Sequence, residues 1–235
     1  MRILPVVALG LIVACVLPAA ALAGPELYFL GGGALTNLGT DADQFGSDVA
    51  DVLSGELGGD WSSTKGSKTG FDLGMGFVYS RPASPVGFGG ELRFVSRGTK
   101  WDFTDASATY PPATSKLKLT YVEIPVLLQI TPGLETAAVR PTIVAGPVFG
   151  ILASSKFTAE GGGGSSSADF SDFNKSTYVG ATIGAGVRIR AGARAAVLVQ
   201  ARALFGLTNI LADNMAPYSM KSQDFSLLVG YSFGL

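Results

Sequence analysis

The chain has 235 residues, 47% hydrophobic and 15% charged, with a formal charge of −1 and a mean hydropathy of +0.37. The charged fraction falls well below the roughly 25% of an ordinary soluble domain, and the near-zero charge leaves no electrostatic footprint for nucleic acid. There is no histidine and a single cysteine, which excludes Ser-His and His-metal chemistry, an internal disulfide and a thiolate metal cluster.

The first element in chain order is an export signal. In "MRILPVVALGLIVACVLPAAALAG", Arg2 precedes an apolar run that closes on Ala21-Leu22-Ala23, a small-x-small cleavage pattern. The expected signal peptide is 1–23, and the expected domain is 24–235, starting at Gly24. Two other readings exist. A membrane anchor helix is disfavoured by the cleavage site Ala21/Ala23. Lipid attachment at Cys15, where "IVAC" resembles a lipobox, would leave the apolar "VLPAAALA" at the start of the mature chain.

Beyond residue 24 the chain alternates with period two, the strand signal. "FDLGMGFVYS" sets Phe71, Leu73, Met75, Phe77 and Tyr79 against Asp72 and small residues. "ELRFVSR" sets Leu92 and Phe94 against Glu91, Arg93 and Arg97. "YVEIPVLLQI" opposes Val122, Ile124, Val126, Leu128 and Ile130 to Tyr121, Glu123, Pro125, Leu127 and Gln129. "YVGATIGAGVRIR" places Tyr178, Arg188 and Arg190 opposite an aliphatic face, and "AVLVQARALF" does the same with Gln200 and Arg202. "DFSLLVGYSFGL" closes the chain with Phe225 to Leu235 against Asp224, Ser226 and Ser232. "ELYFLGGGAL" and "PTIVAGPVFGILAS" are apolar on both faces and show no parity. The total is about eight strands.

Parity does not separate a membrane barrel from a soluble sandwich, because both segregate an apolar face. The connections do. Long segments at about 39–69, "TDASATYPPATS", "EGGGGSSSADFSDFN" and "LADNMAPYSMK" alternate with short ones at "RPASPVG" and "AGA" and a moderate one at "PGLETAAVR". Outer-membrane barrels carry long outer loops and short periplasmic turns in that order. Hydrocarbon offers no hydrogen-bond partners, so a sheet crosses it only when closed. The expected fold is therefore all-β, a closed antiparallel up-and-down transmembrane barrel in the outer membrane of a Gram-negative envelope. Its last strand pairs with its first, with Phe225 to Leu235 facing outer-membrane lipid.

"KLTYVEIPVLLQI", "PTIVAGPVFGIL", "GATIGAGVRI" and "ARALFGLTNI", in that order before a terminal amphipathic strand, resemble the PorT-like outer-membrane β-barrel family across about residues 25–235. The resemblance implies a small barrel with no enzyme activity, no cofactor and no defined ligand; PorT-type members are linked to protein secretion. Gly230, Phe233 and the final Leu235 look like the signal read by the barrel-insertion machinery, although Leu235 stands where a terminal Phe is usual.

The in-strand charges on the polar face are the candidate site. Asp72, Glu91, Glu123 and Asp224 supply acids; Arg93, Arg97, Arg188, Arg190 and Arg202 supply bases. In a ring of about eight strands the interior is just filled by side chains, so these groups are expected to meet across the axis as a network that plugs the lumen. Arg188 and Arg190 could hold an anion, but neutralising Glu91, Glu123 or Asp224 is the better reading, since buried charges need partners. "GAGVRIR" lacks the following helix of a dinucleotide loop. "EGGGGSSS" reads as a flexible outer-loop linker. Pro125 implies a bulge or local distortion. Asp41, Asp43, Asp48 and Asp51 lack the spacing of a calcium loop and read as solvated surface on a short helix over the mouth. The expected function is a non-enzymatic structural or interaction barrel acting through its outer loops on an unidentified extracellular or envelope partner. A narrow solute channel, a secretion-associated barrel, a membrane-embedded enzyme with an Asp/Ser or carboxylate-pair site, and a soluble binder are the alternatives.

Overall fold

The computed structural model describes residues 25–235 except 40, 82, 83, 134, 135, 216 and 217. The expected signal peptide, with Arg2, Cys15, Ala21, Ala23 and Gly24, lies outside the described residues. Nine strands and one α-helix follow in chain order: β1 (Glu26–Leu38), α1 (Ala42–Leu57), β2 (Trp61–Ser80), β3 (Val86–Asp105), β4 (Ala113–Ile130), β5 (Val139–Gly161), β6 (Gly164–Asp169), β7 (Thr177–Arg190), β8 (Ala195–Gly206) and β9 (Ser222–Gly234).

Eight of these strands close into an antiparallel ring, β1-β2-β3-β4-β5-β7-β8-β9 and back to β1. The seam is formed as expected. β1 and β9 pair along their length, from Glu26 opposite Gly234 to Leu38 opposite Ser222, so the sheet has no free edge at the membrane. β6 stands apart from the ring and pairs with β5 alone. It corrects the linker expectation: "EGGGGSSS" is the tip of a hairpin. Gly162 and Gly163, at φ +58° and +83°, take backbone conformations in which a Cβ is disfavoured, and the serines continue as strand.

The period-two pattern translates directly into an outside and an inside. Phe88, Leu92, Phe94, Val126, Leu128 and Leu227 are 44–60% exposed, an apolar belt far larger than a soluble surface tolerates. Their alternates Glu91, Arg93, Leu127 and Leu228 are buried inside. β1 and β5, which lacked readable parity, obey the same rule: Phe29, Leu35, Ile143 and Phe149 face out, while Tyr28, Leu30, Ala34, Val144 and Val148 face in.

The wall is uneven. β2 to β5 run for 20, 20, 18 and 23 residues, whereas β7, β8, β9 and β1 run for 14, 12, 13 and 13. The long strands rise beyond the belt on the long-loop side. Each flank of this extension carries a register shift, one between Ser67 and Asp72 of β2 and one opposite Thr120/Tyr121 on β5. An extra residue re-phases inward and outward faces. The distortion expected at Pro125 is a gap in pairing and not a shift of register: Pro125 stays in register with Val148, while the pairing to β3 skips from Glu123 to Val126.

The largest apolar core sits inside this raised rim. Trp61, Trp101, Phe103, Leu117 and Leu119 from the long strands pack with Ile210, Leu211 and Met220 from the β8–β9 connection and with Ala42, Phe45, Val49 and Leu53 of α1. The helix is pinned by its start: Trp101 Nε1 donates to the Ala42 carbonyl at 2.7 Å. Its acids tie it to the rim. Asp43 pairs with Lys65 at 2.7 Å, Asp48 accepts from the Tyr218 hydroxyl, and Asp41 accepts from the Ser219 amide at 2.7 Å.

Candidate functional site: a charged layer across the bore

Below the apolar cap the inner faces of the strands carry ionised groups, stacked in three sets. The uppermost is centred on Arg97 of β3, whose side chain is 1% exposed. Its guanidinium pairs with Glu123 of β4 and, through Nε at 2.7 Å, with Asp224 of β9. Nη1 donates to the Tyr178 hydroxyl of β7 at 2.6 Å, and that hydroxyl donates on to Glu123. The tyrosines enclose the cation: the Arg97 carbon centre lies 5.3 Å from the Tyr178 ring centroid and 6.0 Å from that of Tyr121, and the two rings meet edge-on at 4.9 Å. One arginine thus gathers groups from β4, β7 and β9. Among the described residues Glu123 Oε2, Asp224 Oδ1 and the Tyr121 hydroxyl have no hydrogen-bond partner.

The second set crosses from β8 to β3. Arg202 grips Glu91 with two parallel bonds, Nη1 to Oε2 at 2.6 Å and Nη2 to Oε1 at 2.7 Å, the fork geometry that makes Arg–carboxylate pairs strong. Tyr28 of β1 donates to the same carboxylate at 2.7 Å, and Gln200 accepts from Arg202 at 2.7 Å. The third set is local: Arg93 pairs with Asp72 on the neighbouring strand, with Nε to Oδ1 at 3.0 Å.

Glycines make this packing possible. A Cβ on Gly150 would lie 1.8 Å from the Tyr178 ring, and one on Gly76 would lie 2.7 Å from both Glu91 and Tyr28. The inward glycines of β2, β5 and β7 therefore hold space for the long side chains opposite.

The structure brings Asp72, Glu91, Arg93, Arg97, Glu123, Arg202 and Asp224 together in the bore. It does not bring Arg188 and Arg190 there, which corrects their expected pairing with Glu91, Glu123 or Asp224. Their parity is inward, but they end β7 at the periplasmic mouth. Arg188 pairs with Glu26, and Arg190 is exposed. Both line a vestibule of overlapping cavities of about 360 and 400 Å³, together with Arg140 and Glu26. Sequence reasoning missed Tyr28, Tyr178 and Gln200 as members of the network and Glu26 as the partner of Arg188. The signal was available: Tyr178 and Gln200 sit on the same parity as the charges.

The motifs behind the family resemblance also acquire places. Tyr121, Glu123 and Pro125 of "YVEIP" point inward. In "GLTNI", Thr208 accepts from the Val179 amide at 2.9 Å, while Asn209 Oδ1 accepts from the amides of Leu211 and Met220 at 3.0 and 2.9 Å. That motif folds the β8–β9 connection down onto the cap. Of the suggested insertion signal, Gly230 points inward, while Phe233 and Leu235 lie on the outward face, Phe233 beside Phe29 at 6.3 Å.

A closed eight-stranded ring with an apolar outside and an ionised inside is the setting for the comparisons. The family model described as "Outer membrane protein beta-barrel domain" matches residues 47–212. The chain belongs to this outer-membrane β-barrel family. No curated protein matches it. Among solved structures, this outer-membrane barrel is similar to Neisserial surface protein A, with 13% identity, coverage of 91% of this chain and 98% of that one, and a TM-score of 0.49. It is also similar to outer membrane protein W of E. coli (14%, 92% and 100%, 0.42) and to the attachment invasion locus protein of Yersinia pestis in complex with the heparin analogue sucrose octasulfate (14%, 89% and 99%, 0.40).

Proposed function

We propose that this outer-membrane barrel is a non-enzymatic interaction protein with a closed bore, presenting its outer loops to a partner in the envelope or outside the cell. The observation that carries the reading is the stacking of two different fillings in one bore, an ionised layer at mid-height and an apolar cap with α1 at the outer mouth. A guanidinium that draws groups from β4, β7 and β9 leaves no axial water column through its layer. A cavity inside the cap, bounded by Phe45, Trp101, Leu117, Phe157, Leu211 and Met220, measures about 10 Å³, no more than one water occupies. The secretion-linked, PorT-like role stands within this reading as one class of partner, a translocated or envelope protein met by the loops. Pull-down from envelope extracts with the full barrel in micelles tests the partner reading. Capture should be lost when residues 161–167 and the α1 acids are altered together, and capture unaffected by those changes would move recognition away from the outer face.

A further inference from the structure

The outward face of the raised wall changes character above the belt. On β4 the outward series Ile130, Leu128, Val126, Ile124 and Val122 continues through Thr120 into Lys118 and Lys116. β3 contributes Lys100, β5 contributes Lys156, and Lys68 sits at the β2 register shift. The lysines fall into cross-strand rows. Lys118 is directly opposite Lys156, and on its other side it is opposite Gly98. Lys68 adjoins Gly98, because the Thr36 hydroxyl lies within hydrogen-bond distance of the carbonyls of both, at 3.0 and 2.9 Å. In the next row Lys100 is directly opposite Lys116.

Adjacent strands are about 4.8 Å apart, and like charges directly opposite one another destabilise a sheet. The upper row is compensated: Lys100 pairs with Asp102 and Lys116 with Glu160, both at 2.8 Å or less. The lower row is not. Among the described residues Lys68, Lys118 and Lys156 have no ion pair within 4 Å, although Asp169 of β6 stands across from Lys156. Desolvation, followed by the charges of Lys118 and Lys116, pushes the Lys68 amine down to about 8.

The height of the row decides what can neutralise it. Lys118 lies four residues beyond Val122, about 13 Å along a strand at 3.3 Å per residue, or about 10 Å along the membrane normal at a tilt near 40°. Flexible lysine stems reach back toward the interface while keeping the amine in the polar layer. We propose that Lys68, Lys118 and Lys156 form a docking row for the phosphorylated head groups of outer-leaflet lipid. The row continues the lipid-facing surface of β4 and β5, with Lys68 beside it at the β2 register shift, and phosphate supplies counter-charge to amines that make no ion pair within 4 Å among the described residues. The inference rests on the barrel spanning the outer membrane and is independent of whether its bore is closed.

The test uses the full chain in zwitterionic micelles, titrated with bis-phosphorylated lipid A, with the same lipid stripped of phosphate, and with inorganic phosphate, and read by native mass spectrometry. The phosphorylated lipid should bind. Substituting all three lysines (K68Q, K118Q and K156Q) should weaken it by at least about tenfold, since each lysine near an anionic surface contributes about 1 kcal/mol. A control with Lys175→Gln, Lys221→Gln and Arg194→Gln should bind within about twofold, as expected for charges outside the row. Equal binding of the phosphate-free lipid, an unaffected triple variant, or full competition by inorganic phosphate at the lipid's own concentration would each overturn the proposal. Lys118→Gln alone gives a second readout. It should raise the unfolding temperature in zwitterionic micelles, where it relieves repulsion, and lower it with bis-phosphorylated lipid A present. The same sign of shift in both would also contradict the proposal.

Discussion

The charged layer and the apolar cap occupy the same bore, one above the other, and are built on opposite principles. The layer at Arg97 and Glu91 is made of groups that are costly to bury and tolerable only because each is answered from another strand. The cap at Trp101, Leu117 and α1 is made of groups that gain simply by leaving water. The layer is therefore expected to be brittle, with single losses exposing unpaired charge. The cap is expected to be graded, each truncation costing what its volume is worth. Position fits this division. The layer lies within the lipid belt, where strand register must be unique; the cap lies above it, where a helix and a loop had to be recruited to cover the rim.

The sharpest test of that contrast is Glu123→Ala. It leaves Arg97 buried with Asp224 as its remaining carboxylate, and breaking such a buried pair costs about 3–5 kcal/mol. Denaturant unfolding from lipid vesicles should report that loss. Replacing both members of a pair with apolar residues should cost less than removing one, because no charge is stranded. Glu91→Leu with Arg202→Met should therefore be more stable than Glu91→Leu alone. The opposite order would mean that Arg202 left without its carboxylate carries no stranded-charge penalty. In the cap, Leu117→Ala should cost about 2–4 kcal/mol, in proportion to the cavity left, and leave the boiling-dependent gel shift of the folded barrel in place. If Leu117→Ala proves more damaging than Glu123→Ala, the contrast fails.

Much of the fold was legible in the sequence. Parity in β2, β3, β4, β7, β8 and β9 assigns inside and outside correctly, because each carries charged or hydroxylated residues among its inward positions. It was unreadable in β1 and β5 because a bore this narrow is also lined by Leu30, Ala34, Val144 and Val148, which look the same as lipid-facing residues. The network was legible in its ions and not in its tyrosines: opposite charges announce a pair, whereas Tyr28 and Tyr178 read as ordinary strand aromatics. Arg188 and Arg190 were placed on the correct face at the wrong depth. Alternation reports direction, and depth has to be counted from the belt, which ends before them. The "GGGGSSS" hairpin was missed although its signal is local: Gly162-Gly163 make a two-residue turn between paired Gly161 and Gly164, but a run of glycine and serine without apolar alternation reads equally as a linker.

Smaller effects lie at the rim. The Asp105 carboxylate accepts from the Ser107 hydroxyl and from the amides of Asp60, Ser107, Thr109 and Tyr110. These bonds, the Ser107 hydroxyl first, hold it well below the usual carboxylate range. A carboxyl with a depressed folded pKa stabilises above its unfolded value and loses that contribution as pH falls. Exchange of the Thr109 and Tyr110 amides should accordingly speed up as pH drops below about 4, relative to the intrinsic rate, and Asp105→Asn should remove that acid dependence. Lys68 has the same sign at higher pH. Its amine is lowered, so the folded state binds fewer protons than the unfolded chain between about pH 8 and 10.5, and stability in zwitterionic micelles should rise across that window. Lys68→Gln should flatten it.

Planar-bilayer recording tests the central claim most directly. On the proposed reading, in which the ionised layer and the cap each close the bore, purified wild-type barrel should insert without steady current. Opening either layer alone, by Arg97→Ala with Glu123→Ala or by deleting residues 42–57, should leave conductance low, and opening both should produce a stable pore. Large, steady and reproducible single-channel currents from the wild type would contradict the account and make this barrel a channel.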